Sequence, residues 1–146
     1  MPVRKAEAQW RGALKDGSGT MRVGSGAFQG AYSFSSRMEN GTGTNPEELI
    51  GAAEAGCFSM ALANALAEAG HTPQEIRTSA NVHFDRGDKG WGITGIELTT
   101  EAVVPGVDDV TFNRLAEDTK KNCPVSKALT GTQVSLKATL KSSVRA

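Results

Sequence analysis

The chain has 146 residues, about one domain's worth, with Lys plus Arg and Asp plus Glu both at 16 and a formal net charge of zero. Apolar residues are 38% and glycine adds 17, together about half the chain, which is the ordinary globular fraction and argues against disorder or a coiled coil. Without surplus positive charge, and with 5% aromatics, no nucleic-acid or anionic-membrane partner is expected.

Met1 to Glu7 has no apolar run after its basic residues, so no secretory signal is expected. No window reaches ~18 apolar residues without a charge, so no transmembrane helix is expected either. The expected compartment is the cytoplasm, where a cysteine pair is more often reactive or metal-binding than a structural disulfide.

The elements follow in chain order. Ala6, Ala8, Trp10, Gly12 and Leu14 alternate with Lys5, Glu7, Gln9 and Arg11, the pattern of a half-buried strand. Asp16-Gly17-Ser18-Gly19 is a turn, so Thr20–Val23 is expected to return as a hairpin partner. Ala31–Glu39, with Tyr32 and Phe34 on one parity, reads as a third short strand ending near Arg37. Asn45 then suits a helix N-cap and Pro46 the first helical position, with Glu47 and Glu48 at the positive end of the dipole. This helix is expected to run to about Ala69, with Gly70 and Pro73 as stop signals.

The middle of that helix is unusual. From Leu49 to Leu66 its sole charge is Glu54, so it is apolar almost all round and should be buried and central. Two strands follow, one carrying Ala80, Val82 and Phe84, the other Ile96, Leu98, Thr100, Ala102 and Val104 on one parity. After Pro105-Gly106, Asp108 or Asp109 caps a helix whose inner face reads Phe112, Leu115, Ala116, Thr119 and Cys123. Pro124 breaks or restarts it. A last strand places Val134, Leu136, Ala138 and Leu140 on one parity.

The order β-β-β, long α, β-β, α, β gives an α+β fold with largely antiparallel sheet, in a single domain over 1–146. Six strands cover one long apolar helix poorly. Two such helices packed in a homodimer and wrapped by both chains' sheets would cover it, and the electroneutral surface does little to keep copies apart.

The two cysteines, Cys57 and Cys123, are 66 positions apart. A Cys in an Ala/Leu helix is most often a small hydrophobe. Cys123 is less ordinary, because a residue just before Pro124 can cap the next helical turn, where backbone N–H groups favour thiolate. Both lie on predicted inner faces, so a functional dithiol and a pair of inert core thiols both remain open. The histidines, His71 and His83, have no ligand-type spacing with either, so no metal is expected. The glycines of Gly24-Ser25-Gly26 and Gly41-Thr42-Gly43 read as turns rather than phosphate loops.

Two longer stretches carry more information. Thr44-Asn45-Pro46-Glu47-Glu48-Leu49-Ile50-Gly51-Ala52-Ala53-Glu54-Ala55-Gly56-Cys57-Phe58-Ser59-Met60-Ala61-Leu62 resembles the signature of the OsmC/Ohr family of peroxide-detoxifying proteins. Asn122-Cys123-Pro124-Val125-Ser126-Lys127-Ala128-Leu129 resembles the family's second cysteine motif. Trp10-Arg11-Gly12, Tyr32-Ser33-Phe34-Ser35-Ser36-Arg37 and Val104-Pro105-Gly106-Val107 resemble its OsmC branch, and the likeness runs nearly end to end.

The resemblance implies a thiol-dependent peroxidase acting on organic, and less efficiently hydrogen, peroxides. It implies an intertwined homodimer with sheets wrapped around two central helices. Cys57 matches the peroxidatic cysteine and Cys123 the resolving one. Arg37 matches the OsmC-branch arginine and Glu47 the glutamate ten positions before the first cysteine. In the Ohr branch the arginine sits earlier, which makes Arg11 or Arg22 a rival to Arg37. The implied reductant is a dithiol, lipoyl-type in the Ohr branch, and no metal or flavin cofactor is required.

These residue types suit that chemistry. The attacking species is a thiolate, and burial in an apolar helix raises a thiol's pKa, so a cation is needed. Arginine keeps its charge when desolvated, and Glu47 could hold it as a bidentate partner. In one straight helix Glu47 and Cys57 stand about 15 Å apart along the axis. Either the helix breaks, near Gly51, or Glu47 acts from the partner chain. Two non-enzymatic readings compete: a binding protein for an apolar ligand, and a redox sensor using the same cysteines.

Overall fold

The structure is a computed structural model and describes residues 1–143. The chain divides into two compact units, residues 1–49 and the residues from Ile50 onward.

In the first unit, β1 (Ala6–Arg11), β2 (Ser18–Val23) and β3 (Gln29–Tyr32) form an antiparallel sheet in that order. The predicted hairpin pairs Ala8 with Met21 and Trp10 with Gly19. Gly19 is required there: a Cβ would come within 2.6 Å of the Tyr32 ring and 2.7 Å of the Trp10 ring, and those two rings lie 5.3 Å apart between centroids. The strand β1 was expected to be half-buried. Its residues are exposed on both faces except Trp10, which is partly covered.

The third predicted strand stops early. Phe34–Met38 is a short helix, α1, so Arg37 sits in a last helical turn and not at a strand end. The reason is a capping box. Ser36 N–H donates to Ser33 Oγ at 3.1 Å, and Ser33 N–H donates to Ser36 Oγ at 2.8 Å. These two reciprocal bonds satisfy backbone donors that a strand ladder would otherwise need to pair.

Helix α2 spans Pro46–Glu68, close to its predicted limits. Asn45 caps it, its Oδ1 accepting from Glu48 N–H at 2.8 Å. Gly70, at φ +91°, follows its end. The helix is continuous through Gly51. That glycine serves packing instead of a break: a Cβ there would meet Val82 Cγ2 of the neighbouring strand at 3.1 Å.

In the second unit, β4 (Glu75–Gly87), β5 (Gly90–Val103) and β6 (Gln133–Lys141) form a second sheet in that order. The ladder β4–β5 is antiparallel, with a bulge between His83 and Phe84. The ladder β5–β6 is parallel, because the chain crosses back through two helices, α3 (Asp109–Asn122) and α4 (Pro124–Ala128), before entering β6. The fold is α+β, with three antiparallel ladders and one parallel.

The core is built by faces that the sequence announces. Phe58, Leu62 and Leu66 of α2, Ile96, Leu98 and Ala102 of β5, Val104, and Phe112 and Ala116 of α3 form one buried cluster. Thr100 lies on the same inward parity of β5 and is fully buried. Its hydroxyl bonds Thr78 Oγ1 at 2.9 Å and donates to Arg77 O at 3.1 Å, while Ser59 Oγ donates to Thr78 Oγ1 at 2.7 Å. This chain keeps the three hydroxyls of Ser59, Thr78 and Thr100 paired.

The expected burial of α2 on all sides is not met within one chain. Ala52, Ala53, Gly56 and Met60 are exposed, Met60 at 77%. By length and composition α2 is also long and apolar enough to cross a membrane, a test that core helices of soluble proteins pass as well.

Candidate active site

Cys57 and Cys123 meet. Cys123 Sγ donates to Cys57 Sγ at 2.7 Å, joining positions 66 apart in sequence. Cys57 lies in α2, one residue before the core anchor Phe58, and is half-buried, whereas Cys123 is buried. Both thiols are free.

The break at Pro124 positions Cys123. This residue ends α3, its N–H donating to Thr119 O at 2.8 Å, and at the same time precedes Pro124 at the first position of α4. Its own side chain makes no capping bond. The backbone N–H of Val125, in the first turn of α4, instead hydrogen-bonds the Cys57 sulfur.

Burial pushes the Cys57 thiol above its ordinary range, and the hydrogen bond it shares with Cys123 pushes it the same way. The Val125 N–H opposes both, because it favours the thiolate. The negative fields of Cys123 and Glu54 add to the upward shift.

Glu54 stands one helical turn before Cys57 on α2 and is fully buried. Its Oε1 accepts from Ser126 Oγ of α4. Its Oε2 is buried with no hydrogen-bond partner among the described residues. The sequence marks both residues by spacing, Glu54 as the lone charge between Leu49 and Leu66, three before Cys57, and Ser126 three after Cys123. Sequence reasoning assigned neither a role.

The other two predicted site residues also meet one another. Arg37 of α1 holds Glu47 of α2, Nη2 donating to Oε1 at 2.7 Å and Nε lying 3.0 and 3.2 Å from the two carboxylate oxygens. The Glu47 side chain is 9% exposed and that of Arg37 37%. The guanidinium also borders a groove of about 280 Å³ lined by Trp10, Leu14, Tyr32, Ser33, Phe34 and Met38. The groove thus pairs an apolar floor with one fixed cation.

The rival arginines are placed otherwise. Arg22 pairs with Glu7 on the exposed sheet at 2.8 Å, and Arg11 is exposed at the end of β1. His83 pairs with Glu97 across the outer face of the second sheet. Among the described residues no three His, Cys, Asp or Glu side chains gather as a metal site.

Known proteins share this fold and much of this sequence. The family model for OsmC-like protein matches residues 39–138. The chain is 50% identical over 127 residues to peroxiredoxin OsmC of Escherichia coli (strain K12), covering 86% of this chain and 89% of that protein. It is 35% identical over 92 residues to an organic hydroperoxide resistance protein of Xanthomonas axonopodis pv. citri, covering 62% and 63% respectively. Its structure resembles that of the organic hydroperoxide resistance protein OhrB of Bacillus subtilis, with a TM-score of 0.70, 25% identity and coverage of 94% and 98%. On the family match and the relationship to the Escherichia coli protein, this chain belongs to the OsmC-like family.

Proposed function

We propose that this chain is a cysteine-based peroxidase that reduces organic hydroperoxides, and hydrogen peroxide less efficiently. The observation that carries the reading is the contact between the Cys57 and Cys123 sulfurs. The relatives named peroxiredoxin OsmC and organic hydroperoxide resistance protein support it.

The cycle has three steps. The Cys57 thiolate attacks the terminal oxygen of the hydroperoxide, breaking the O–O bond. Cys57 becomes a sulfenic acid and the alkoxide leaves as the alcohol after taking a proton. Cys123 then attacks the oxidised sulfur, forming the disulfide and releasing water. An external dithiol, possessing two thiols of lipoyl type, returns the pair to thiols by exchange and leaves as its own disulfide. No step needs a metal or flavin.

The first step needs help, because burial holds the Cys57 thiol up. In this reading Arg37 supplies the missing positive charge, and Glu47 fixes the guanidinium in orientation through its bidentate grip. Because α2 is unbroken, Glu47 and Cys57 are ten residues and about 15 Å of helix rise apart. Arg37 and Glu47 therefore act on the thiol of a partner protomer. The apolar groove beside Arg37 would hold the alkyl part of the substrate, which favours organic hydroperoxides.

A homodimer follows from the same reading. The exposed face of α2, with Ala52, Gly56 and Met60, is apolar and shaped for close helix contact. A Cβ on Gly56 would meet no atom of its own chain. A second copy is the better cover than lipid, since the helix centre carries the carboxyl of Glu54 bound to Ser126. The chain acts as a single functional domain, and a reducing cytoplasm suits its resting thiols.

Turnover with an organic hydroperoxide and a lipoyl-type dithiol tests the proposal. Peroxide consumption should be stoichiometric with dithiol oxidation and absent in Cys57→Ser. Equal consumption by Cys57→Ser would refute it. An apolar-ligand protein with inert cysteines would keep its affinity in that variant, and a sensor would oxidise once and then be reduced slowly.

A further inference from the structure

Glu54 is the buried charge that the peroxidase cycle does not use. It sits on α2 one turn before Cys57, and its hydroxyl partner Ser126 sits on α4 three residues after Cys123. The two contacts pair 54 with 126 and 57 with 123, so they form successive rungs between α2 and the segment formed by α4 and its N-cap Cys123, run in opposite directions along the chain. One rung is the thiol pair; the other is a hydrogen bond to a carboxyl. The second rung is costly to keep, because the Glu54 Oε2 is buried without a hydrogen-bond partner among the described residues. An apolar side chain would fill that place without the penalty.

We propose that Glu54 is a positioning residue for disulfide closure: by holding Ser126 it fixes α4 on α2 and keeps the Cys123 sulfur within reach of Cys57. The proposal rests on reading these cysteines as the reactive pair. In the closure step the Cys123 sulfur displaces hydroxyl from the Cys57 sulfenic acid. One S–S bond forms, one S–O bond breaks, and the Cys123 thiol proton leaves with the hydroxyl as water. That displacement needs the second sulfur already in line, and α4 is a five-residue helix with little internal strength to hold it there. The link through Ser126 supplies the restraint.

The test compares wild type, Ser126→Ala and Glu54→Gln in glutathione redox buffers, with thiol–disulfide equilibrium read by mass. Ser126→Ala removes the link and should lower the effective molarity of the cysteine pair by about tenfold. Glu54→Gln keeps a carbonyl for the Ser126 hydroxyl and should stay within about threefold of wild type. With an excess of cumene hydroperoxide, several equivalents per Cys57, Ser126→Ala should also accumulate sulfinic acid at Cys57, since slower closure leaves the sulfenic acid open to a second equivalent of oxidant. Thermal melting of each variant reports any loss of fold separately. An unchanged equilibrium in Ser126→Ala, or a Glu54→Gln variant as impaired as Ser126→Ala, would overturn the proposal. The glutathione equilibrium needs no peroxidase activity, so a wild type that ignores peroxide would refute the proposed function and leave this test standing.

Discussion

The two units of the chain are stabilised on opposite terms. From Ile50 onward, α2, β5 and α3 bury Phe58, Leu62, Leu66, Ile96, Leu98 and Phe112 in one cluster. Within residues 1–49 the buried side chains among the described residues are polar: Ser36, Thr44 and Glu47. One unit therefore rests on apolar burial within its own chain, and the other on hydrogen bonds and an ion pair. The candidate site residues divide the same way, with the two sulfurs in the apolar unit and the Arg37–Glu47 pair in the polar one. This contrast teaches where the proposed homodimer would form. A sheet with exposed faces and a helix with an exposed Met60 are surfaces that a second copy would finish.

The largest expected effect lies at the sulfurs. Cys57→Ser should remove peroxide turnover by at least about 10⁴-fold without lowering the melting temperature, as measured by peroxide assay and calorimetry in parallel. The polar pair comes next. Glu47→Ala frees the guanidinium from its fixed orientation, and turnover should fall about 10²-fold. Mixing Glu47→Ala with Cys57→Ser protomers should restore part of the activity if the pair acts across the interface. Mixed dimers as inactive as their parents would break that part of the comparison.

The stability contrast can be sharpened within α2 alone. Leu62 is fully buried, so Leu62→Ala should cost about 3 kcal/mol in urea unfolding. Met60 is 77% exposed in one protomer, so Met60→Ala should leave protomer packing intact and weaken self-association, read by light scattering. Smaller still is the capping box of α1. Ser33→Ala should cost about 1 kcal/mol and loosen the turn that carries Arg37.

The pH dependence has a definite sign. Burial raises the Cys57 thiol, which then holds its proton to higher pH and is slower to react near neutrality. Arg37→Ala removes the proposed opposing charge. Its rate of Cys57 alkylation should therefore rise at higher pH than in wild type. Coincident profiles would show that Arg37 does not act on the thiol.

Much of this was legible in the sequence, and the exceptions have physical causes. Parity along β5 and β6 and the spacing of Phe112, Ala116 and Cys123 report burial directly, because burial is what a hydrophobic period records. The strand expected up to Arg37 failed because Tyr32 and Phe34 alternate as a strand would. The competing signal was Ser33 and Ser36 at capping-box spacing, which closed the helix. Gly51 looked like a helix break because the residue is flexible, but it is there to let Val82 approach. The parallel direction of β6 was hidden, since alternation is the same in either direction. In the candidate site, the family resemblance singled out both cysteines, Arg37 and Glu47, and the folded chain brings them together as two separate pairs. The link between Glu54 and Ser126 joins residues 72 apart, and only the folded chain sets them together.

The most direct measurement is intact mass and free-thiol count before and after one equivalent of an organic hydroperoxide. The account predicts that both thiols disappear with a mass loss of about two hydrogens, the mark of a disulfide between Cys57 and Cys123. Two thiols unchanged after minutes of exposure would contradict it.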